Sequence, residues 1–196
     1  CGGEPLLIER HYYFLEKCVK SGHSKNIILE YDSNITIVKD EVLDFWKQFK
    51  EVQMRASIDD YGDQNDYIRY PSNFKIIKKN LKKLYDANIK LGLSLTISIF
   101  NSFTFINLIN YIEKNFPKIK ISPRMVSSPS YLDIRNLPQS AKDYITNEIN
   151  YDFVSSYLKY KPNDTCEKFV WYAEELDKLR KTDWRTTFSQ LQKYYD

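Results

Sequence analysis

Apolar and polar positions along the chain alternate between two periods, one close to 3.6 residues and one close to 2, and the switches between them outline the elements. Residues 6–22 read as a helix, with Pro5 suited to its first turn and Gly22 to its end. Residues 26–31, Asn-Ile-Ile-Leu-Glu-Tyr, form a short β-prone run. Residues 40–50 set Val42, Phe45, Trp46 and Phe49 on one helical face, with Asp40 as a candidate N-cap. Residues 52–58 read as a strand. Residues 59–72, which carry Asp59-Asp60, Gly62 and Pro71, read as a loop. A helix over residues 73–87 gathers Phe74, Ile77, Leu81 and Leu84 on one side. Residues 91–99 form a strong strand, residues 103–115 a helix stopped by Pro117, and residues 120–127 a last strand interrupted by Pro123. Beyond Pro138 the pattern is helical through to Asp196.

The order is therefore helix and strand in strict alternation through four strands, then a helical tail. Such alternation predicts an α/β fold with parallel strands joined by right-handed helical crossovers. In folds of this kind ligands sit beyond the C-terminal ends of the strands, so the residues at those ends carry the functional argument.

Composition narrows the picture. The 196 residues are 42% hydrophobic and 28% charged, a soluble globular balance. The net charge of +3 comes from 29 basic and 26 acidic residues without a separate basic block, which argues against a nucleic-acid partner. The densest basic run, residues 75–83, lies on a periodic helix and reads as its solvated face. No apolar run approaches the roughly 18 residues of a membrane span, and no signal peptide is visible, so no membrane partner is expected and the cytoplasm is the expected location. The three cysteines, Cys1, Cys18 and Cys166, fit neither a disulfide framework nor a zinc or iron–sulfur ligand set. The chain opens on Cys1-Gly2-Gly3-Glu4-Pro5 rather than on Met, which sets the expectation of an N-terminal truncation.

Four strand ends carry polar or turn residues. Gly2-Gly3-Glu4-Pro5 precedes a helix: two glycines let a backbone approach a ligand and offer N–H groups, and Glu4 can accept from an ammonium group, or the segment is an ordinary strand-to-helix turn. Asp32-Ser33-Asn34 closes the first strand with turn chemistry. In Ser57-Ile58-Asp59-Asp60 the alternation puts Ser57 and Asp59 on one face, where a hydroxyl and a carboxylate can bind the two hydroxyls of a ribose, unless Asp59 begins the loop and faces water. Ser98-Ile99-Phe100-Asn101 ends the third strand, with Asn101 either a ligand contact or a helix N-cap.

Gly2-Gly3-Glu4-Pro5-Leu6-Leu7 is similar to the glycine-glycine-glutamate motif at the end of the second strand of the radical-SAM partial barrel. Ser57-Ile58-Asp59 resembles that family's ribose-contacting segment at the end of the fourth strand, and Asp66-Tyr67-Ile68-Arg69-Tyr70-Pro71-Ser72 the loop after it in a subgroup of uncharacterised radical-SAM proteins with a "twitch" extension. Leu137-Pro138 followed by Lys142, and Leu176-Asp177-Lys178-Leu179-Arg180, also resemble that subgroup. The resemblance implies a partial (β/α)6 barrel lacking its first β/α unit over residues 1–136, with a helical extension over residues 137–196 packed on it. It departs from the family at Asp60, where many relatives have glycine, and at Ser33-Asn34-Ile35, a loose match to Thr-Asn-Gly. The family's C-x-x-x-C-x-x-C motif would lie upstream of Cys1.

What the resemblance implies about function follows. S-adenosylmethionine and a 4Fe–4S cluster, whose ligands lie outside this chain, would generate a 5′-deoxyadenosyl radical that takes a hydrogen atom from the substrate, here expected to be a peptide, with an external electron donor. Gly2, Gly3 and Glu4 would hold the cofactor's amino group, Ser57 and Asp59 its ribose, and Met125 and Val126 its adenine, with Asn34, Ser98 and Asn101 as further candidates. Arg69 either meets a carboxylate or phosphate at the cavity mouth as a substrate-binding residue or pairs with an acid between Asp59 and Asp66. No residue is assigned a catalytic role. Two competing readings are a non-catalytic module that binds S-adenosylmethionine or a nucleotide, and an interaction protein whose 16 tyrosines serve an interface.

Overall fold

A computed structural model of the chain describes residues 3–162, 164 and 166–195. Its elements run α1 (Glu9–Lys20), β1 (Ile28–Ser33), α2 (Asp40–Trp46), β2 (Glu51–Ser57), α3 (Asp63–Ile68), α4 (Phe74–Asp86), β3 (Lys90–Ile97), α5 (Phe105–Asn115) and β4 (Lys120–Met125). The helical tail then holds α6 (Gln139–Tyr144), α7 (Asp152–Leu158), α8 (Cys166–Arg180), α9 (Trp184–Thr187) and α10 (Ser189–Gln192). The strands form one sheet in the order β1-β2-β3-β4. β1 pairs with β2 and β2 with β3 in parallel, Tyr31 opposite Met54 and Ser57 opposite Ser94. This is the parallel α/β architecture with a helical C-terminal part that the alternation predicts.

Three local details differ from the expected elements. The N-terminal helix is broken at Ile8 into a 3-10 turn, Pro5–Leu7, and α1. Asp40 is the first helical residue of α2 rather than its cap, which is Lys39, so its carboxylate supports the helix dipole instead of closing an N–H. Residues 59–72 are not all loop: Gly62, at φ +67°, turns the chain into α3.

The chain divides into two compact units. The first comprises Cys1–Ile58, Asn73–Ser94 and Tyr111–Ser122. Within it the side chains of β1 and β2 alternate between buried and more exposed positions, so Leu29, Tyr31, Val52 and Met54 enter a core while Glu30, Asp32, Gln53 and Arg55 do not. Tyr31 organises that core. Its hydroxyl accepts from Trp46 Nε1 at 3.0 Å and bonds His11 Nε2 at 2.9 Å, and burial pushes its pKa up to about 12. α4 shows the same logic at helical period: Phe74, Ile77, Leu81 and Leu84 are buried, and Asn73 caps its start by accepting from Lys75 N–H at 3.0 Å.

The second unit comprises Asp59–Ser72, Leu95–Asn110 and Pro123–Asp196. Its core is aromatic. Phe100 lies 4.9 Å from Phe169, 5.3 Å from Tyr67 and 5.5 Å from Phe188 between ring centroids, and Phe169 meets the fully buried Trp184 at 5.5 Å. Among the described residues no helix is long and apolar enough to cross a membrane.

In the first unit the turn after β1 holds a β-branched residue, Ile35, at φ +49°, a conformation that costs about 1–2 kcal/mol. Ile35 is fully buried, its N–H is accepted by Ser33 Oγ at 2.9 Å, and its carbonyl accepts from Nδ2 of the buried Asn80 at 2.8 Å. Asn80→Ala leaves that carbonyl without its partner in the core, and the expected loss is about 1–3 kcal/mol in urea denaturation at unchanged m-value. A loss within experimental error would show that the amide does not hold the turn.

Candidate functional site

Two groups of polar residues lie at strand ends, one in each unit. In the first unit Glu4 is the hub. Its Oε1 accepts from the Ser33 hydroxyl at 2.7 Å and the Leu6 N–H at 3.3 Å, and its Oε2 accepts from the Asn34 N–H at 2.8 Å. The glutamate thus caps the first turn of the N-terminal segment and ties it to the end of β1. Gly3, at φ +97°, supplies the backbone conformation that brings Glu4 there. The Asn34 side chain folds onto its own turn, accepting from the N–H and hydroxyl of Thr36 at 3.0 and 2.8 Å. Gly2 lies outside the described residues.

In the second unit Asp59, just past β2, Thr96 and Ser98, at the end of β3, and Val126, just past β4, line one cavity of about 130 Å³. Phe100, Leu132 and Tyr172 add an apolar and aromatic wall. Three sequence candidates, Asp59, Ser98 and Val126, therefore meet. Ser57 and Met125 end β2 and β4, half-buried, and do not line it. Volumes of about 300–1,000 Å³ are usual for sites that engulf a whole ligand, so this cavity suits a ring or sugar rather than all of S-adenosylmethionine.

The geometry of Asp59 comes from its neighbours. Oδ1 accepts the Thr96 N–H at 2.9 Å, and Oδ2 lies 2.8 Å from Arg69 Nε. Arg69 thus pairs with an acid of its own segment, the second of its two expected roles. The pair is a charge contact rather than a hydrogen bond, for the buried Arg69 Nε has no hydrogen-bond partner. Asn101 is wholly buried and makes four bonds: Oδ1 accepts the Ser98 N–H at 2.8 Å and the Ser98 hydroxyl at 3.4 Å, and Nδ2 donates to the Asp59 carbonyl at 2.6 Å and the Thr96 carbonyl at 2.9 Å. Its side chain caps no helix and instead ties the Asp59 backbone to the end of β3.

A larger cavity, about 590 Å³, lies in the first unit over the exposed side of β1–β3, lined by Glu30, Asp32, Gln53, Arg55 and Gly92 among others. None of the candidate residues lines it, and its Asp32 and Arg55 are paired to each other at 2.8 Å. Convergence of strand-end residues, not volume, singles out the smaller cavity. Among the described residues no group of three or more His, Cys, Asp or Glu could hold a metal ion, so these residues do not fit an iron–sulfur cluster.

Sequence reasoning missed Asp60. It is fully buried, accepts from the Tyr61 N–H at 2.7 Å and from the Thr104 hydroxyl, and burial pushes its pKa up to about 7. A carboxyl whose pKa rises on folding stabilises the fold fully below about pH 4, and that stabilisation is lost as pH rises through about 7. Asp60→Asn is therefore expected to gain on the wild type between pH 5 and pH 8 by on the order of 1 kcal/mol or more, read as the difference between paired urea denaturations. A difference independent of pH would contradict the assignment.

No family model and no curated protein matches the chain. Solved structures do. SuiB from Streptococcus suis bound to S-adenosylmethionine is similar with a TM-score of 0.51 and 15% identity, over 76% of this chain and 35% of that one. The same protein bound to its precursor peptide SuiA gives 0.52 and 16%, over 89% and 39%. Histidine-tagged anSMEcpe with bound AdoMet gives 0.55 and 13%, over 80% and 45%. The chain spans less than half the length of each of these. At such identities the likeness is one of fold: this chain shares the α/β architecture of structures solved with S-adenosylmethionine.

Proposed function

We propose that the chain is part of a radical S-adenosylmethionine enzyme of the peptide-modifying kind, and that its second unit seats the adenosine end of that cofactor. The observation that carries the reading is the meeting of Asp59, Ser98 and Val126, from the ends of three successive strands, at one cavity with aromatic walls. The fold shared with AdoMet-bound and peptide-bound structures supports it.

In this reading Val126, Leu132 and Phe100 cover the faces of the adenine and keep water from it. The Asp59 carboxylate accepts ribose hydroxyls, oriented by the Thr96 N–H and by Asn101 on its carbonyl. Ser57 and Met125 flank the strand ends. Gly2, Gly3 and Glu4 remain the proposed holders of the amino group, Glu4 with a carboxylate already clamped to β1, and Asn34 completes the same turn through its N–H. The cofactor, when bound and reduced through a 4Fe–4S cluster by an external electron donor, supplies a radical for hydrogen abstraction. The described residues contribute no cluster ligand set, and their part is to bind, orient and shield.

The test is binding of S-adenosylhomocysteine to this chain by isothermal titration. Asp59→Ala is expected to weaken it by about tenfold or more, since a hydrogen bond to a charged group is typically worth about 1.5–3 kcal/mol, and Val126→Asp is expected to weaken it because it puts a polar, ionisable group against the adenine face. Circular dichroism checks that each variant is folded. No binding to the wild type, or unchanged binding in both folded variants, removes the cofactor assignment.

A further inference from the structure

One wall of the cavity is built by the helical tail. α8 presents Tyr172, Leu176 and Arg180 to it at spacings of four residues, a single stripe of the helix. Arg180 stands out in that stripe by its charge. Its Nη1 donates to the Tyr67 carbonyl at 3.0 Å, and its guanidinium lies 5.1 Å from the ring of the exposed Tyr70. Among the described residues it forms no ion pair. The three acids nearest it on its own helix are engaged elsewhere. Asp177 accepts from the Tyr67 hydroxyl at 2.9 Å, the Thr182 hydroxyl at 2.7 Å and the Trp184 N–H at 2.8 Å, Glu174 pairs with Arg185 at 2.9 Å, and Glu175 pairs with Lys178 at 2.6 Å. Among the described residues the carboxylate lining the cavity is Asp59, which already faces Arg69.

The cavity therefore holds a half-buried guanidinium that, among the described residues, is paired with no carboxylate. A guanidinium carries five N–H donors in a planar fork that matches a carboxylate, and the Tyr67 carbonyl uses only part of it. The place of Arg180 at the last position of α8 accounts for a cation there through the helix dipole, but not for its presentation to a cavity.

We propose that Arg180 receives a carboxylate of the molecule bound in this cavity, making the tail a specificity element of the site. This rests on the cavity being a nucleoside site. The carboxylate belongs either to the amino-acid end of the same ligand or to a second, acidic molecule beside it. Three probes separate these sources: S-adenosylhomocysteine, which carries a carboxylate; 5′-methylthioadenosine, an adenine nucleoside without one; and N-acetylglycine, titrated into the chain alone and into the chain saturated with 5′-methylthioadenosine.

Arg180→Gln is expected to weaken S-adenosylhomocysteine by about tenfold or more while leaving 5′-methylthioadenosine unchanged, which assigns the carboxylate to the same ligand. If both nucleosides are unaffected but N-acetylglycine binds the wild type and not the variant, the carboxylate is a second molecule's. Equal affinity for the two nucleosides in wild type and variant, with no difference in N-acetylglycine binding, overturns the proposal. Should Arg180→Gln fail to fold, Arg180→Lys, which keeps the charge and loses the fork, takes its place under the same criteria. If no nucleoside binds at all, the nucleoside reading fails, and N-acetylglycine on the chain alone still decides Arg180.

Discussion

The side-chain amide of Asn101 is the contact on which the candidate site depends. It is buried, and it answers groups from two places at once: the carbonyl of Asp59 past β2, and the Thr96 carbonyl and Ser98 N–H at the end of β3. Beyond the last ladder bonds of a sheet, backbone groups lose their regular partners and must be satisfied by something else. A buried asparagine can supply both donor and acceptor from one rigid plane, which no apolar residue of its size can do. Because Asn101 fixes the Asp59 backbone and the Thr96 N–H meets the Asp59 carboxylate, the orientation of the acid is set by the sheet end rather than by its own rotamer.

Much of this was legible in the sequence. The alternation of helical and strand periods gave the order of elements because each strand buries one set of alternate side chains, as in Leu29, Tyr31, Val52 and Met54. The rule that chemistry gathers at strand ends points to Asp59 and Ser98, and the family resemblance adds Val126, which lines the same cavity. The roles within that set were less legible. For Asn101 the sequence offers a ligand contact or a helix N-cap, whereas the bridge its side chain makes between two strand ends is a long-range fact that no local spacing encodes. Arg69 offered an external anion or a nearby acid, and the nearby acid is the one it meets.

What the sequence hid has a common cause. α3 is only six residues long, begins at a glycine and carries two aspartates in its first turn, so turn chemistry masks its period. The stripe Tyr172, Leu176, Arg180 on α8 mixes an aromatic, an aliphatic and a charged residue, and so gives no apolar periodicity to read. Asp60 looks like a loop residue beside Asp59, yet it is buried with a hydroxyl and an N–H donating to it, a pairing made across 44 residues of chain in the case of Thr104. Where burial depends on distant partners, residue type alone misleads.

The neighbouring acids Asp59 and Asp60 show how the fold divides two like groups. Among the described residues Asp60 accepts from neutral donors and forms no ion pair, and burial dominates and raises its pKa. Asp59, also buried, has Arg69 at 2.8 Å. An ionised carboxylate has about four lone-pair positions, and the Thr96 N–H takes one while Arg69 supplies charge without a directed hydrogen bond. Positions remain for neutral donors such as hydroxyls, and they can be filled without expelling the arginine. A ligand entering beside Asp59 therefore need not bring a counter-charge, because Arg69, just past α3, already provides one. Arg180 lines the same cavity, and among the described residues it has no such carboxylate paired with it.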